Sequence, residues 1–521
     1  MKTTDSTKIN DTQIEAASSR PVAWGLLLVP ALAQFLLLIA TSGRYEIFRD
    51  EYYYLACAAR PAWGYVDHPS LSIWILSLWK SVFGDSIHSL RVIPALCGSG
   101  VVFLTGAAAA EMGGGRWAQV LSGTAGAIGA AGLAVCGFYS MNCMDLLFWL
   151  GSYLLVIRIA RTGDGKLWIA AGILIGIGLL NKIGLFVFGP ALLAGLLATR
   201  HRRHLADPRL YIAGGIAALL ILPYVLWNAG NGWPTLEFIR NAAGSKNTDF
   251  TLKAFLSEII LEANPFTLPI WLGGLVWIFL SRRARPFLLI GIIFVVTFAV
   301  IFLQNGKPYY FASSMPAMMA AGGAAWERWT NGGRLRWLRW AFLFVLAAGG
   351  AALSPIAVPV LSPKGTIEYA RRLGIAPAQQ EIGHTSALPQ HLSDRLGWEN
   401  LARVVSEAYR GLPPGDRDRC AVLGNNYGHA ASLEYWSRRY DLPPVYSTHN
   451  NYWLWGPPSE ETAVLIMTGS GTDRLEQLFE EVTFAGFAES QYAQESSIPV
   501  WICRRPRRPL GEIWKECKAF I

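Results

Sequence analysis

The sequence has few charged residues, and this scarcity argues against a soluble protein. Of its 521 residues, 16% are charged, whereas 52% are hydrophobic and 21 are tryptophan. No internal repeat or low-complexity tract stands out. This composition is typical of a polytopic membrane protein.

Metal-binding cysteine motifs are also missing. The seven cysteines show no C-x-x-C spacing and no mixed His/Cys pattern. Four of them lie in or beside apolar segments, where cysteine is usually an inert small hydrophobic residue. Cys420 and Cys503 each lie in or beside a predicted strand of the C-terminal tail. A disulfide between them is left open, and it requires an oxidising compartment.

The start of the chain lacks the short apolar stretch and small-residue cleavage site of a removable signal peptide. We therefore predict a cytoplasmic N-terminal tail over residues 1–20 and a retained first span over 21–41. The net charge of +9 does not indicate a nucleic-acid partner. Most Lys and Arg residues fall in short loops between apolar segments, as the positive-inside rule predicts for a membrane protein.

Apolar stretches of membrane-spanning length recur through residues 21–354, and we predict about eleven transmembrane helices there. They are 21–41, 91–110, 117–138, 144–160, 167–180, 183–198, 210–228, 265–281, 286–304, 311–327 and 338–354. Basic clusters in alternate loops place the N-terminus in the cytoplasm. These clusters are Arg158/Arg161/Lys166, Arg200/Arg202/Arg203/Arg209, Arg282/Arg283/Arg285 and Arg328/Arg334/Arg336/Arg339.

With eleven spans, residues 355–521 lie outside the cytoplasm, and their patterns predict a periplasmic α/β domain. Helical spacing covers Trp398–Tyr409 and His429–Arg438, and buried strands are predicted at Cys420–Leu423, Ala463–Met467 and Pro499–Cys503. Residues 44–90 form the first outer loop. Its apolar run from Pro69 to Phe83 is too short for a comfortable crossing, so we expect an interfacial helix.

Several polar residues from separate stretches fall on the outer face in this topology. They are Asp50, Glu51, Asp67, His68, Arg91, Asn142, Asp145, Lys182, Lys307, Tyr309 and Tyr310. Each has a structural explanation when taken alone: an interfacial anchor for Arg91, a helix-dipole charge for Asp145, a snorkelling side chain for Lys182. Together, carboxylates and cations at one water–membrane boundary indicate a cavity for an anionic ligand and acid/base chemistry.

Two strings in the first outer loop carry a family resemblance. Arg49-Asp50-Glu51-Tyr52-Tyr53-Tyr54 and Ala62-Trp-Gly-Tyr-Val-Asp67-His68-Pro69 resemble that loop of the family 39 glycosyltransferases, the dolichyl-phosphate-mannose-protein mannosyltransferase-like proteins. Met141-Asn-Cys-Met-Asp145, Gly178-Leu-Leu-Asn-Lys182 and Gly306-Lys307-Pro308-Tyr309-Tyr310 are similar to later motifs. In the tail, Asn426-Tyr-Gly-His-Ala-Ala and the segment from His449 resemble a block of bacterial members, related to aminoarabinose and galacturonate lipid A transferases.

The resemblance implies a GT-C fold, a location in the bacterial inner membrane and a polyprenyl-phosphate sugar donor. The acceptor would be lipid A, lipopolysaccharide core, another envelope glycan or a protein. A β-trefoil insertion of the eukaryotic protein mannosyltransferases is missing, which puts a protein acceptor in doubt. Asp50 is then the expected base, with Glu51 and Asp145 supporting it. Arg91, Lys182 and Lys307 would stabilise the phosphate, Tyr309 or Tyr310 would donate hydrogen bonds, and Asp67 and His68 would orient the sugar.

Three alternatives stay open. Asp50, Glu51, Asp67, His68 and Asp145 offer oxygen and nitrogen ligands for a divalent metal, although their spacing selects none. A lipid-linked-sugar transporter or flippase is the rival function, but it should carry charges near the bilayer midplane and paired broken helices. A non-catalytic envelope scaffold is the third. The tail also holds residues suited to sugar contact or to turns, namely Asn425, Asn426, His429, His449, Asn450, Asn451, Tyr452, Trp453 and Trp455.

Overall fold

A computed structural model of the chain describes residues 19–245, 250–375 and 386–521. Residues 1–18 of the expected cytoplasmic tail lie outside these ranges. Helices dominate the N-terminal two thirds of the chain, and a five-stranded sheet lies in the C-terminal third.

Each of the eleven apolar segments predicted as spans contains helix. The α-helices of this part are α1 (Trp24–Thr41), α2 (Arg49–Ala58), α3 (Leu71–Phe83), α4 (Ile87–Glu111), α5 (Arg116–Ile128), α6 (Ala130–Val135), α7 (Met141–Thr162), α8 (Leu167–Asn181), α9 (Phe188–Ala198), α10 (Pro208–Gly230), α11 (Pro234–Ser245), α12 (Leu252–Glu262), α13 (Leu268–Leu280), α14 (Leu288–Leu303), α15 (Met315–Trp329) and α16 (Leu338–Ala357). Short 3-10 helices connect them at Ile183–Val187, Arg200–Ala206, Pro265–Thr267, Arg282–Phe287, Pro308–Ser314 and Gly333–Leu335.

Within the described ranges, six helical segments are long and apolar enough to cross a membrane, and up to eight if each of two bent pairs forms one span. The chain is therefore a multi-pass membrane protein, as predicted. The count of eleven stays a prediction, because several predicted spans are short or broken. For example, the segment 117–138 is divided between α5 and α6 at Gly129.

Small residues allow the membrane helices to pack closely. Gly322 on α15 faces the backbone carbonyl of Ile270 on α13, where a Cβ atom would collide with the carbonyl oxygen. Leucines on the outer sides of α1 and α10 remain exposed, including Leu28 and Leu219. The apolar run from Pro69 to Phe83 forms α3, whose Leu78 and Val82 are also exposed, and its place at the membrane interface stays a prediction.

The C-terminal third contains the predicted α/β elements. Its helices are α17 (Pro363–Arg372), α18 (Gln390–Ser393), α19 (Trp398–Arg410), α20 (Pro414–Arg417), α21 (Tyr427–Tyr440), α22 (Asn451–Trp455), α23 (Thr472–Leu478) and α24 (Leu510–Glu516). Its strands are β1 (Cys420–Gly424), β2 (Val445–Tyr446), β3 (Val464–Thr468), β4 (Phe479–Glu489) and β5 (Ser497–Pro506). Predicted helices and strands match α19, α21, β1, β3 and β5, whereas β2 and β4 were not predicted.

The strand order of the sheet is β2-β1-β3-β5-β4. β1 pairs in parallel with both β2 and β3, and β5 pairs antiparallel with β3 and β4. β3 is buried along its whole length, which explains its continuous apolar run, because a strand inside a covered sheet is apolar on both faces.

The disulfide left open for Cys420 and Cys503 does not fit this topology. Strand β3 lies between their strands, since Cys420 pairs with Val464 and Cys503 pairs with Leu465. Two strand spacings amount to about 9.6 Å, beyond the Cα separation that a disulfide spans. The two side chains also belong to different apolar clusters on opposite faces of the sheet. Both cysteines are free thiols.

One face of the sheet binds the membrane part of the chain through α21. The apolar cluster on this face continues into α2, and the indole of Trp436 donates a hydrogen bond to the Tyr52 hydroxyl (3.1 Å). Gly428 makes the close approach of the two helices possible, because a Cβ atom there would lie 2.6 Å from Arg49 Cγ. The C-terminal third therefore covers the loop 44–90, which holds four of the eleven candidate residues, namely Asp50, Glu51, Asp67 and His68.

Candidate active site

Helix α2 places two adjacent carboxylates in different surroundings. Glu51, at the third position of the helix, accepts a hydrogen bond from the backbone N–H of Phe48 (2.8 Å). Successive helical residues are rotated by about 100°, so Asp50 and Glu51 point in different directions. Glu51 faces the helices of the membrane part, and Asp50 faces the C-terminal third.

The Glu51 carboxylate forms a buried ion pair with Arg91 of α4. Arg91 Nη2 lies 2.8 Å from Glu51 Oε2, and the two side chains are 1% and 0% exposed. Arg91 also donates to the carbonyls of Ser42 and Glu46, and the Tyr139 N–H donates to Glu51 Oε1. All three guanidinium nitrogens of Arg91 therefore donate within the protein. This geometry favours a positioning role for both residues, and their predicted catalytic and phosphate-binding roles stay predictions.

Asp50 is partly open and is held by the C-terminal third. Its Oδ1 accepts a hydrogen bond from the Tyr427 hydroxyl (2.8 Å), and its side chain is 31% exposed. Arg49 Nε lies 3.8 Å from the same oxygen, while Arg49 Nη2 pairs with Asp394 at 3.3 Å. A carboxylate that is oriented by one donor and still reached by solvent can accept a proton from an incoming group.

A second carboxylate, Asp67, lies near Asp50. The Tyr53 hydroxyl donates to Asp67 Oδ1 (3.1 Å), and Asn451 of α22 accepts a hydrogen bond from the Val66 N–H (2.7 Å). Burial raises the pKa of the Asp67 carboxyl, while the His68 ring and the Tyr53 hydrogen bond lower it and the nearby Asp50 charge raises it. We call Asp50, Asp67, Tyr53 and Tyr427 the α2 group.

His68 lies in an aromatic cluster. Its ring is fully buried, stacks on Tyr54 at 4.7 Å and lies 4.9 Å from the Tyr65 ring. Nδ1 lies 2.9 Å from the Pro69 carbonyl oxygen, so Nδ1 carries a proton and donates to that oxygen, while Nε2 lies 4.0 Å from Asp67 Oδ1. These contacts favour a structural role, and the sugar-orienting role predicted for His68 stays a prediction.

Asp145 and Lys182 come together at the N-terminal end of α7 and the C-terminal end of α8. Lys182 Nζ lies 3.7 Å from Asp145 Oδ2 and donates to the Asn142 side-chain oxygen at 2.8 Å. The sequence places Lys182 at the break between α8 and the following 3-10 helix, where its backbone becomes extended. The break therefore places the Lys182 ammonium group at the end of α8, among apolar helices.

The late motif around Lys307 completes this second cluster. Ser313 of the 3-10 helix Pro308–Ser314 donates a hydrogen bond to Asp145 Oδ2 (3.2 Å). Lys182 Nζ lies 4.7 Å above the ring of Tyr310 and 5.9 Å from that of Tyr309. Lys307 caps the start of this helix and is buried. We call the cluster the α7 group; its members are Asn142, Asp145, Lys182, Tyr309, Tyr310 and Ser313.

Tyr54 connects the two groups. Its hydroxyl accepts a hydrogen bond from the N–H of Met141, the first residue of α7 (3.3 Å). Tyr54 also follows Tyr53 of the α2 group on the same helix and stacks on His68. One helix, α2, therefore contacts the carboxylates of the outer loop and the start of the helix that carries Asp145.

Across the described ranges, no group of three or more His, Cys, Asp or Glu side chains could hold a metal ion. Asp50, Asp67, His68 and Asp145 thus do not converge there as a set of ligands. A divalent metal cofactor stays a prediction for this chain.

Two contacts of the site have no predicted counterpart in the sequence. Tyr427 lies inside the Asn426-Tyr-Gly-His motif. Its hydrogen bond to Asp50 could not be predicted, because the two residues are 377 positions apart in the sequence. No sequence pattern indicated that Ser313 would contact Asp145. Among the tail residues considered for sugar contact, Asn451 and Tyr452 are buried, and the backbone N–H of Asn451 donates a hydrogen bond to the Tyr53 hydroxyl (3.4 Å), so they help to position α2.

Comparisons with known proteins bear on the family pattern and on the fold. Residues 67–227 match the family model described as Dolichyl-phosphate-mannose-protein mannosyltransferase. A search of the curated proteins found no match.

Among solved structures, ArnT from Cupriavidus metallidurans bound to undecaprenyl phosphate is 15% identical, with a TM-score of 0.57 over 92% of this chain and 98% of that chain. The apo state of ArnT gives 14% identity, the same coverage and a TM-score of 0.58. The oligosaccharyltransferase of Archaeoglobus fulgidus tethered to an acceptor peptide is 14% identical over 81% of this chain and 63% of that chain, with a TM-score of 0.48.

The likeness to ArnT extends over nearly the full length of both chains, so it establishes the fold. The family match covers the region that holds Asp67, Arg91, Asp145 and Lys182. The resemblance predicted from the sequence is confirmed: the chain has the GT-C fold of ArnT, and its residues 67–227 carry the sequence pattern of the dolichyl-phosphate-mannose-protein mannosyltransferases.

Proposed function

We propose that this protein is a membrane glycosyltransferase that moves a sugar from a polyprenyl-phosphate donor to an envelope acceptor. The observation that carries the proposal is that α2 connects two sites. One site holds a partly exposed carboxylate that can act as a base, and the other holds a cation. Asp50 belongs to the α2 group, Lys182 belongs to the α7 group, and Tyr54 joins them. The fold of ArnT, described as bound to undecaprenyl phosphate, supports a lipid-linked donor.

In the proposed reaction, an acceptor hydroxyl attacks the anomeric carbon of the donor sugar. Asp50 accepts the hydroxyl proton as the new carbon–oxygen bond forms. The bond between the anomeric carbon and the phosphate oxygen breaks on the opposite face of the sugar, which inverts the configuration. The polyprenyl phosphate leaves with the bonding electron pair.

The leaving phosphate requires fixed positive charge. Lys182 is oriented by Asn142 and Asp145, so it is already in place before the negative charge develops. Such preorganised groups stabilise a transition state without reorganisation. Tyr309 and Tyr310 belong to the same group, and their hydroxyls would contribute further contacts, as would Lys307, which precedes them in the chain.

Location follows from the predicted orientation. We infer that the sites open to the periplasmic side of the bacterial inner membrane and that residues 355–521 lie there. Lipid A, lipopolysaccharide core, another envelope glycan or a protein would serve as acceptor. The α21 face of the C-terminal third, which holds Tyr427 against Asp50, would form one wall of the acceptor path.

The test uses purified protein in nanodiscs, radiolabelled polyprenyl-phosphate sugars and an envelope extract. Wild-type protein should transfer label to an acceptor, and Asp50→Asn should not. Asp85→Asn is the matched control, because Asp85 is a carboxylate of the same loop that pairs with Lys80 and Arg438; it should transfer like the wild type. Failure with every donor, or movement of intact labelled lipid between leaflets without transfer, would overturn the proposal.

A further inference from the structure

We propose a second ligand site in the C-terminal third, which binds a negatively charged monosaccharide unit such as a hexose phosphate or a hexuronate. A cavity of about 360 Å³ lies on the sheet face that carries Leu465 and Met467. This face is opposite to the one that packs on α2. The site is therefore distinct from the α2 group, and it does not depend on the proposed transfer reaction.

The position of the cavity in the sheet points to a binding site. The chain leaves β1 toward β2 on one side and then returns to pair β3 on the other side of β1. Ligands of open α/β sheets bind beyond the carboxyl ends of the strands at such a switch in strand order. Gly424 ends β1, and Met467 lies near the end of β3; both residues line the cavity.

Hydrogen-bonding groups reach the cavity from the loops after three parallel strands. Asn425 follows β1, Thr448 lies two residues beyond β2, and Ser470 lies two residues beyond β3. One amide and two hydroxyls can donate and accept hydrogen bonds. A ligand with several hydroxyl groups in a small volume, as in a monosaccharide, matches such a set.

The charges at the cavity select a negative ligand. Glu516 is neutralised by Arg508, whose two terminal nitrogens both lie 2.7 Å from its oxygens. Lys518 is neutralised by Glu237 of α11 at 2.7 Å. Arg474 has no ion pair within the described ranges, and its Nη2 contacts Cys517 Sγ at 3.6 Å. One uncompensated guanidinium remains, which suits a phosphate or a carboxylate.

The remaining wall of the cavity is apolar. Leu475 of α23 and Ile513 and Trp514 of α24 cover the sheet there. Pockets of about 300–1,000 Å³ with mostly apolar walls and a few converging polar groups are typical of small-molecule sites. The carbon-bound hydrogens of a sugar ring can pack on this wall while its hydroxyls and its charge meet the strand ends and Arg474.

Cys517 offers a direct readout, because it lines the cavity beside Arg474 while the other six cysteines are buried. The full-length protein is treated with a maleimide dye, and the labelling rate is measured with and without ligand. Glucose 6-phosphate and glucuronate should slow labelling, whereas glucose should not. Cys517→Ser measures labelling of the other thiols.

Arg474→Gln should abolish the protection or raise the required ligand concentration about tenfold or more, since it removes a charged hydrogen bond. Arg403→Gln, at an exposed position of α19, is the matched control and should keep the protection. Stronger protection by charged fragments of envelope glycan than by the free sugars would assign the ligand to the envelope, and the reverse would assign it to a soluble metabolite; both support the site. No protection by either ligand, equal protection by inorganic phosphate, or equal protection in Arg474→Gln would overturn the proposal.

Discussion

Two acid–base pairs of the candidate site differ in their burial and in their hydrogen bonds. Glu51 and Arg91 are 2.8 Å apart, almost fully buried and hydrogen-bonded to the backbone of Ser42, Glu46 and Tyr139. Asp145 and Lys182 are 3.7 Å apart, and the lysine is 13% exposed and faces tyrosine rings.

The difference teaches which charges are available to a ligand. A buried pair with all its hydrogen bonds formed fixes the fold around it, and breaking it leaves an uncompensated charge. A looser pair can exchange part of its interaction for a new partner at modest cost. The Glu51–Arg91 pair therefore orders the loop that contains Asp50, and the Asp145–Lys182 pair holds the cation that the proposed reaction would use to stabilise the phosphate.

The largest expected effect is on stability when the tight pair is broken. Glu51→Ala and Arg91→Ala should each destabilise the protein by about 3–5 kcal/mol, because each leaves the opposite charge buried and alone. Thermal unfolding in detergent measures the loss. The exposed pair Arg403–Glu407 is the control, and Glu407→Ala should cost no more than about 1 kcal/mol. Equal losses of stability from the Glu51–Arg91 pair and from the Arg403–Glu407 pair would show that burial does not make the first pair more important for folding.

Breaking the looser pair should affect the reaction and spare the fold. Lys182→Ala should lower kcat by about 100- to 1,000-fold, as expected when one stabilising charge is removed from a transition state. Lys182→Arg keeps the charge and should retain more activity. Lys80→Ala, which removes an outer-face lysine paired with Asp85, should transfer sugar like the wild type. A Lys182→Ala variant that unfolds at a lower temperature but turns over normally would contradict the comparison.

Tyr427 tests whether the C-terminal third contributes to the site. Tyr427→Phe removes the hydroxyl that holds Asp50 and should lower kcat/KM about tenfold, equivalent to about 1.4 kcal/mol. Steady-state kinetics with the labelled donor measure the change. Tyr446→Phe on β2 leaves Asp50 untouched and serves as control. Unchanged kinetics in Tyr427→Phe would show that the contact does not support transfer.

A smaller effect is expected from the pair of His429 and Glu495, which lies close to Arg49. Burial raises the pKa of the Glu495 carboxyl, but the His429 ring at 2.9 Å, Arg49 and Asn426 lower it more, to about 2 from 4.5. A lowered pKa means that the folded state prefers the carboxylate. This stabilisation is complete above pH 4.5 and is lost as the pH falls toward about 2.

Glu495→Gln should therefore lower the unfolding temperature at pH 7 and flatten its decline between pH 4.5 and 2. Glu476→Gln, at an exposed position of α23, should keep the wild-type decline. Parallel curves for the wild type and Glu495→Gln would refute the assignment.

Much of the fold could be predicted from the sequence because its signals are local. Apolar runs gave helix in each predicted span, and the buried strands β1, β3 and β5 have continuous apolar runs. Strand β4 was not predicted, because it lies at the sheet edge, has many exposed residues and has a register shift between Phe484 and Gly486. The number of spans also stayed open, since α5, α8 and α15 are each shorter than a bilayer crossing requires.

Part of the membership of the candidate site could be predicted from the sequence, but Ser313, the contact of Tyr427 with Asp50 and the pairing of the charged residues could not. Topology alone brings Asp145, Lys182 and the motif around Lys307 to one face, and the structure joins them in one cluster. That Glu51 takes Arg91 while Asp50 takes Tyr427 depends on the rotation of α2 and on the docking of α21, which are tertiary features. The close approach of Gly428 to Arg49 is also a tertiary feature. A glycine at the start of a helix does not indicate which residue packs against it.

The most direct test of the central claim is the single-turnover rate of Asp50→Asn with saturating lipid-linked sugar. If Asp50 is the base, the rate should fall by about 100- to 10,000-fold while the unfolding temperature matches that of the wild type. A rate within tenfold of the wild type in a folded Asp50→Asn protein would contradict the account.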